Sequence, residues 1–281
     1  MRVVITDETA PNKNYGGISY TGSFTWNSDT PSYVYANRLA DNAKYIADAA
    51  AHEAGHSLGL GHDGQGTSAY YYGHGSGATD WAPVMGVGYY GKIVQWSKGE
   101  YYGATNTQDD LAIIASKVGY RADDYGSTFT TAASLGGTVA GGVATVQTYG
   151  IISGSGAQND VDMFAFKVAA GGSINMGVSA WTRAYASGSA TPVYSPSPST
   201  MLDASLKLYG PDHALVAVSD DPTRLDAALS LSNLAGGTYY LAVDGVGWGN
   251  PMAATPTGYT EYGSLGQYMI RGTYTADSVL V

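Results

Sequence analysis

One stretch limits what this chain can become more than any other: His52-Glu53-Ala54-Gly55-His56-Ser57-Leu58-Gly59-Leu60-Gly61-His62-Asp63. His52 and His56 are four residues apart, so a helix stacks them one turn above the other on a single face, where both imidazoles reach one metal ion. Glu53 falls at the edge of that face. A carboxylate there is placed to take a proton from a metal-activated water, as a base and not as a ligand. Gly59 follows the second histidine by three residues, where a glycine takes the left-handed conformation that ends a helix and turns the chain back. His62 then returns to the same ion. Three neutral imidazoles leave the fourth position of a tetrahedral zinc open, which separates a catalytic site from a closed structural one.

The pattern H-E-x-x-H-x-x-G-x-x-H in these residues resembles the signature of the metzincin metallopeptidases. Downstream, Pro83-Val84-Met85-Gly86 looks like that clan's Met-turn, which gives Met85 a structural place beneath the histidines. The resemblance implies zinc on His52, His56 and His62 and Glu53 as the catalytic base. Asp63, directly after the third histidine, reads either as a site residue or as a stabiliser of the turn around His62.

Val3–Thr6, Gly17–Phe24 and Ser32–Ala36 read as extended segments, with a turn at Pro11-Asn12-Lys13-Asn14. Asp41 is the expected cap of the following helix, whose Ile46, Ala50, Ala54 and Leu58 keep helical spacing on a face apart from the histidines. In the metzincin pattern these segments match the third, fourth and fifth strands and the active-site helix, the second being either an edge strand that pairs with extended substrate or simply a strand with a solvated edge. His74 is either a further ligand or a loop side chain. Tyr89 and Tyr90 follow the Met-turn, where some clan members place a tyrosine near the zinc. Thr107 is the expected cap of a helix carrying Leu111, Ile114, Ala115 and Val118. Polar turn chemistry at 121–126 marks a boundary, giving domains 1–122 and 123–281.

Beyond the boundary the pattern changes to period two: Phe164, Phe166 and Val168; Ile174, Met176 and Val178; Leu202, Ala204, Leu206 and Leu208; and segments 238–243 and 267–272. Short alternating strands separated by Gly, Asp and Pro turns read as an antiparallel β-sandwich, with a flexible loop at Ser195-Pro196-Ser197-Pro198. Asn159-Asp160-Val161-Asp162-Met163-Phe164-Ala165-Phe166, Ser219-Asp220-Asp221 and 235–243 resemble the bacterial pre-peptidase C-terminal domain, a jelly-roll-like sandwich appended to secreted peptidases. Members of that family can bind calcium. Asp160, Asp162, Asp220 and Asp221 offer oxygen ligands for it, or alternatively form turns and keep a sheet edge solvated.

The 281 residues exceed one ordinary domain, and without cysteine neither disulfides nor thiolate metal sites contribute. A net charge of −10 argues against nucleic acid and anionic membranes as partners, and no apolar run is long enough to span a bilayer. Many glycines and tyrosines suit an exported, secreted protein, although no signal peptide is visible. The expected fold is an α+β metzincin-like catalytic part followed by an all-β jelly-roll-like sandwich. The expected function is a zinc endopeptidase acting on protein or peptide, with an accessory domain whose partner has no legible code. The alternatives are a zinc hydrolase of another amide or acyl bond, or a binding protein with a vestigial catalytic part. The metzincin pattern also has two earlier strands and a long helix that the first 50 residues cannot hold, so the chain is expected to be a piece of a longer protein. By itself it is then expected to expose apolar surface, associate and be poorly active.

Overall fold

The structure, a computed structural model, describes residues 1–9, 14–153, 160–185, 192–196 and 200–277, the side chains of 182–185 and 192–196 left aside. Residues 11–13 of the expected first turn, Asn159 and Ser197-Pro198 lie outside the described residues, while Ser195-Pro196 belongs to a strand. The described chain is mostly β, with two α-helices. It divides into two compact units, Met1–Tyr120 with Trp248–Gly263, and Arg121–Gly247 with Ser264–Val281.

The sequence reading keeps all of 123–281 in one domain, whereas Trp248–Gly263 belongs to the first unit. Its hydrogen bonds explain the difference. Pro251 O accepts from Tyr102 N, Thr260 Oγ1 donates to Glu100 Oε2, and Tyr262 OH donates to Asp109 Oδ1.

The first unit begins with a sheet of β1 (Val3–Thr6), β2 (Gly17–Ile18) and β3 (Ser32–Tyr35) in the order β1-β3-β2. β1 runs parallel to β3, and β2 antiparallel. The second extended segment is shorter than expected, because Gly22 turns left-handed at φ 76° and starts a tight helical turn at Ser23–Thr25. Gly22 N donates to His56 O, which ties that turn to the helix beneath.

Helix α1 (Ala43–Leu58) packs on the sheet through Ala49, Val34 and Leu39. Its cap is Asn42, whose side chain accepts from Lys44 N and Tyr45 N at 3.0 and 3.2 Å. Asp41 lies one residue too early and is itself left-handed at φ 53°. α1 ends at Gly59, where φ is 112° and the backbone N–H closes on Gly55 O and His56 O. β4 (Trp81–Pro83) and β5 (Ile93–Gln95) pair in parallel on either side of the turn that carries Met85. Helix α2 (Asp110–Val118) is capped by Asp109, which accepts from Ala112 N, and not by Thr107.

The strands of the second unit are β6 (Ala133–Ser134), β7 (Thr138–Ala140), β8 (Val143–Ile152), β9 (Val161–Val168), β10 (Gly172–Tyr185), β11 (Pro192–Pro196), β12 (Ala204–Tyr209), β13 (Leu215–Ser219), β14 (Ala227–Leu234) and β15 (Gly237–Gly245). A hairpin in the first unit, β16 (Trp248–Asn250) and β17 (Thr257–Tyr259), precedes the last strand, β18 (Gly266–Thr275). One sheet has the order β13-β12-β15-β9-β6; the other runs β11-β10-β18-β8-β7, with β14 also paired to β10. Period-two alternation sends Phe164, Phe166, Leu206, Leu208, Leu241 and Val243 from the first sheet into one core with Val146, Ile174, Met176, Val178 and Ile270 from the second. The result is a β-sandwich.

The capping assignment is testable by thermal unfolding. Asn42→Ala should destabilise the chain by about 1 kcal/mol, the usual worth of an N-cap side chain. Asp41→Asn, which keeps a residue tolerant of the left-handed region, should be close to neutral.

Candidate metal centre

α1 presents His52 and His56 on one face, and the turn at Gly59 brings His62 back so that ligand nitrogens of the three imidazoles lie within 4.8 Å of one another. His52 Nδ1 is 2.8 Å from Val84 O, and His56 Nδ1 is 2.8 Å from Leu60 O. A carbonyl oxygen only accepts, so each Nδ1 carries the proton and each Nε2 keeps its lone pair. His56 Nε2 and His62 Nε2 face one another at 2.9 Å. Burial pushes the His52 ring down to about 4, against the Val84 bond, and also lowers His56 and His62. All three are neutral donors at neutral pH.

Glu53 is only 7% exposed, and its Oε2 has no hydrogen-bond partner among the described residues. Burial pushes its carboxyl up to about 7. β2 crosses this group at Gly17, where a Cβ would lie 2.6 Å from Glu53 Oε1, so only glycine lets the strand pass so close. Converging imidazole lone pairs and an unpaired buried carboxylate are acceptors without a donor. That set fits a divalent cation with nitrogen ligands and an open position, as zinc takes in catalytic sites.

Met85 lies fully buried under α1, with Sδ 2.5 Å from where a Cβ of Gly55 would be, and Leu60, Val84 and Val94 complete its cluster. Its carbonyl accepts from Asp63 N, and Asp63 O accepts from Tyr71 N, so the backbone of Asp63 joins the turn after His62 to two other segments. The Asp63 side chain is buried as well. Burial pushes it up to about 7, and its Oδ2 is unpartnered among the described residues.

His74 does not join the three histidines. Its Nδ1 is 2.8 Å from Tyr71 OH and its Nε2 is 2.6 Å from Gly258 O, which makes it a tie to the β16–β17 hairpin. Tyr89 packs against Val34, Leu39 and Ala49, and burial pushes it up to about 12, while Tyr90 is exposed. The aromatic side chain beside the centre is Tyr70, missed in the sequence because its loop has no periodicity. Its ring lies 4.2 Å from that of His62 and 6.4 Å from that of His52, and it lines a cleft with His52 and Glu53. The one signal for it is the triplet Tyr70-Tyr71-Tyr72, in which the buried Tyr71 stacks on Tyr101 at 4.5 Å and turns its neighbours outward.

In the second unit the aspartates sort differently from the sequence reading. Asp162 is fully buried, accepts from Tyr268 OH at 2.5 Å through Oδ2, and has an unpartnered Oδ1. It groups with Asp123 and Asp124, whose ligand oxygens lie within 4.8 Å of its own. Burial pushes Asp162 up to about 8, against the Tyr268 bond, with Asp160, Asp124 and Asp123 adding to the rise. Asp160 accepts from Ser153 N and Oγ. Asp221 is spent on its own turn, accepting from Thr223 N and Oγ1, and neither Asp220 nor Asp221 belongs to the three-carboxylate group.

Residues 2–89 match the family Reprolysin_5, described as Metallo-peptidase family M12. No curated protein matches this sequence. Among solved structures, the chain is similar to the pre-peptidase C-terminal domain of collagenase from Bacillus anthracis, at 15% identity and a TM-score of 0.26, over 45% of this chain and 86% of that one. It is also similar to PliG of Aeromonas hydrophila, a periplasmic inhibitor of g-type lysozyme, at 16% identity and a TM-score of 0.27, over 51% of this chain and 95% of that one.

The buried Glu53 predicts a pH signature in the metal-free protein. Its folded pKa lies above the unfolded one, so the stability it contributes is complete below about pH 4.5 and is lost as pH rises through about 7. Glu53→Gln, which cannot ionise, should therefore raise the melting temperature at pH 8, by the equivalent of up to about 3 kcal/mol, and leave it unchanged at pH 4. Equal melting curves at both pH values would contradict the burial cost.

Proposed function

We propose that the chain is a zinc-dependent peptidase of the metzincin type, acting on protein or peptide outside the cell, with the β-sandwich as an accessory unit. The observation that carries this reading is the pairing of two Nδ1-anchored imidazoles and a third histidine with an unpartnered, buried glutamate. His52, His56 and His62 would hold the zinc, which when bound supplies a Lewis acid that polarises the scissile carbonyl and acidifies water. Val84 O and Leu60 O hold the imidazoles in the tautomer that turns Nε2 inward. Glu53 accepts the proton of the attacking water and passes it to the departing amide nitrogen. Burial, which raises the carboxyl, makes it a stronger base for that proton. β2, at the edge of its sheet beside Glu53, offers backbone groups to an extended substrate.

In the second unit, Asp123, Asp124 and Asp162 would take a calcium ion. The support is the buried, unpartnered Oδ1 of Asp162, an oxygen that a hard cation satisfies.

Two measurements test these readings. Glu53→Ala should keep its zinc by metal analysis while turnover of denatured protein falls roughly 10²–10⁴-fold, the scale of general base catalysis, and near-normal turnover would sink the assignment. Calcium should raise the melting temperature of the chain, and Asp162→Asn should abolish the increase. Calcium-independent melting of the parent chain would remove the calcium assignment.

A further inference from the structure

The cleft beside the metal centre, about 280 Å³, continues along α1 past His52 and Glu53 to Asp48. Asp48 lies one helical turn before His52, a rise of about 6 Å. It is mostly buried, with its side chain 14% exposed, and Oδ2 accepts from Lys44 Nζ at 2.6 Å. The same ammonium donates to Gly88 O at 2.9 Å and Tyr89 O at 3.1 Å, so all three of its N–H groups are spent on closing the wall of the cleft. Lys44 engages Oδ2, and Asp48 is itself part of the cleft lining. Burial pushes the Asp48 carboxyl up against the pull of Lys44, so an arriving cation would restore solvation that the fold has removed. Tyr15, Tyr70, Tyr72 and Tyr89 also line the cleft, aromatic residues of the kind that receive a cationic side chain.

Resting on the peptidase reading, we infer that Asp48 determines specificity, and that the cleft selects a long basic side chain, arginine above all, beside the scissile bond. A stem of three or four methylenes with a charged head spans the turn from His52 to Asp48, its apolar part against the tyrosines and its head on the Asp48 carboxylate. The net charge of −10 on the chain favours approach of basic peptides in general.

The test is a peptide series carrying arginine, citrulline or norleucine at each position in turn, presented to the zinc-loaded full chain. Citrulline keeps the shape of arginine and removes its charge. Arginine should exceed citrulline roughly 10- to 100-fold in kcat/KM at one position flanking the cleaved bond, the worth of a charge-assisted hydrogen bond. Asp48→Asn should collapse that ratio to within about threefold, and Asp48→Glu, which restores the charge, should recover it. Calorimetric binding of the same peptides to the zinc-loaded Glu53→Gln chain supplies a readout without turnover and should rank them alike. Cleavage that ignores the charge at every position, or a ratio that survives in Asp48→Asn, overturns the inference and leaves the peptidase reading intact. Asp48-dependent binding of arginine peptides that are never cleaved sustains the inference and removes the peptidase reading instead. If Asp48→Asn fails to fold, the citrulline comparison on the parent chain and the Asp48→Glu ratio decide it.

Discussion

Two backbone carbonyls, those of Val84 and Leu60, decide what the centre can do, because each accepts a hydrogen bond from one imidazole Nδ1–H and so leaves Nε2 with its lone pair. The Val84 bond forms only when the segment around Met85 has been brought under α1, and the Leu60 bond only when the chain has reversed at Gly59. The local geometry of the helix therefore supplies the spacing, and packing supplies the orientation. Gly55 makes the connection physical: Met85 Sδ occupies the space a side chain would take, so the floor of the centre is set by the absence of a Cβ.

The first unit places unpartnered oxygens where ordinary packing would avoid them. Glu53, Asp63 and Asp110 are all buried, each has an oxygen without a partner among the described residues, and burial raises all three. A buried carboxylate left unpaired costs free energy, so such a cluster needs a return elsewhere. For Glu53 the return is catalytic under the proposed function. Asp63 adds to the rise of Asp110 after burial itself, and their backbone and side-chain bonds to Met85, Tyr71 and Ser97 brace the turn that follows His62. The β16–β17 hairpin adds to that bracing through Gly258 and His74.

In the sandwich, alternation organises one apolar core from both sheets. Asp162 departs from that arrangement. It sits in β9 between apolar neighbours, fully buried, with Tyr268 OH on one oxygen and no partner for the other among the described residues. The two carboxylates that approach it, Asp123 and Asp124, come from the turn that opens the unit, some forty residues earlier in the chain.

Spacing along the chain was enough to place His52, His56 and Glu53 on one helix face, to turn the chain at Gly59, and to mark the alternating strands of the sandwich, because each depends on the period of a single element. Helix caps were legible only to within a residue or two: Asp41 and Thr107 carry suitable side chains, yet Asn42 and Asp109 have the backbone geometry that lets an oxygen reach the free N–H groups. What joins distant segments was not legible. Tyr70 beside His62, Asp123 and Asp124 beside Asp162, and Trp248–Gly263 in the first unit all follow from segments whose course is fixed by side-chain packing and by bonds between residues up to 184 apart. A loop has no period to read, so its destination is decided by the surface it must satisfy, and that surface exists only in the folded chain.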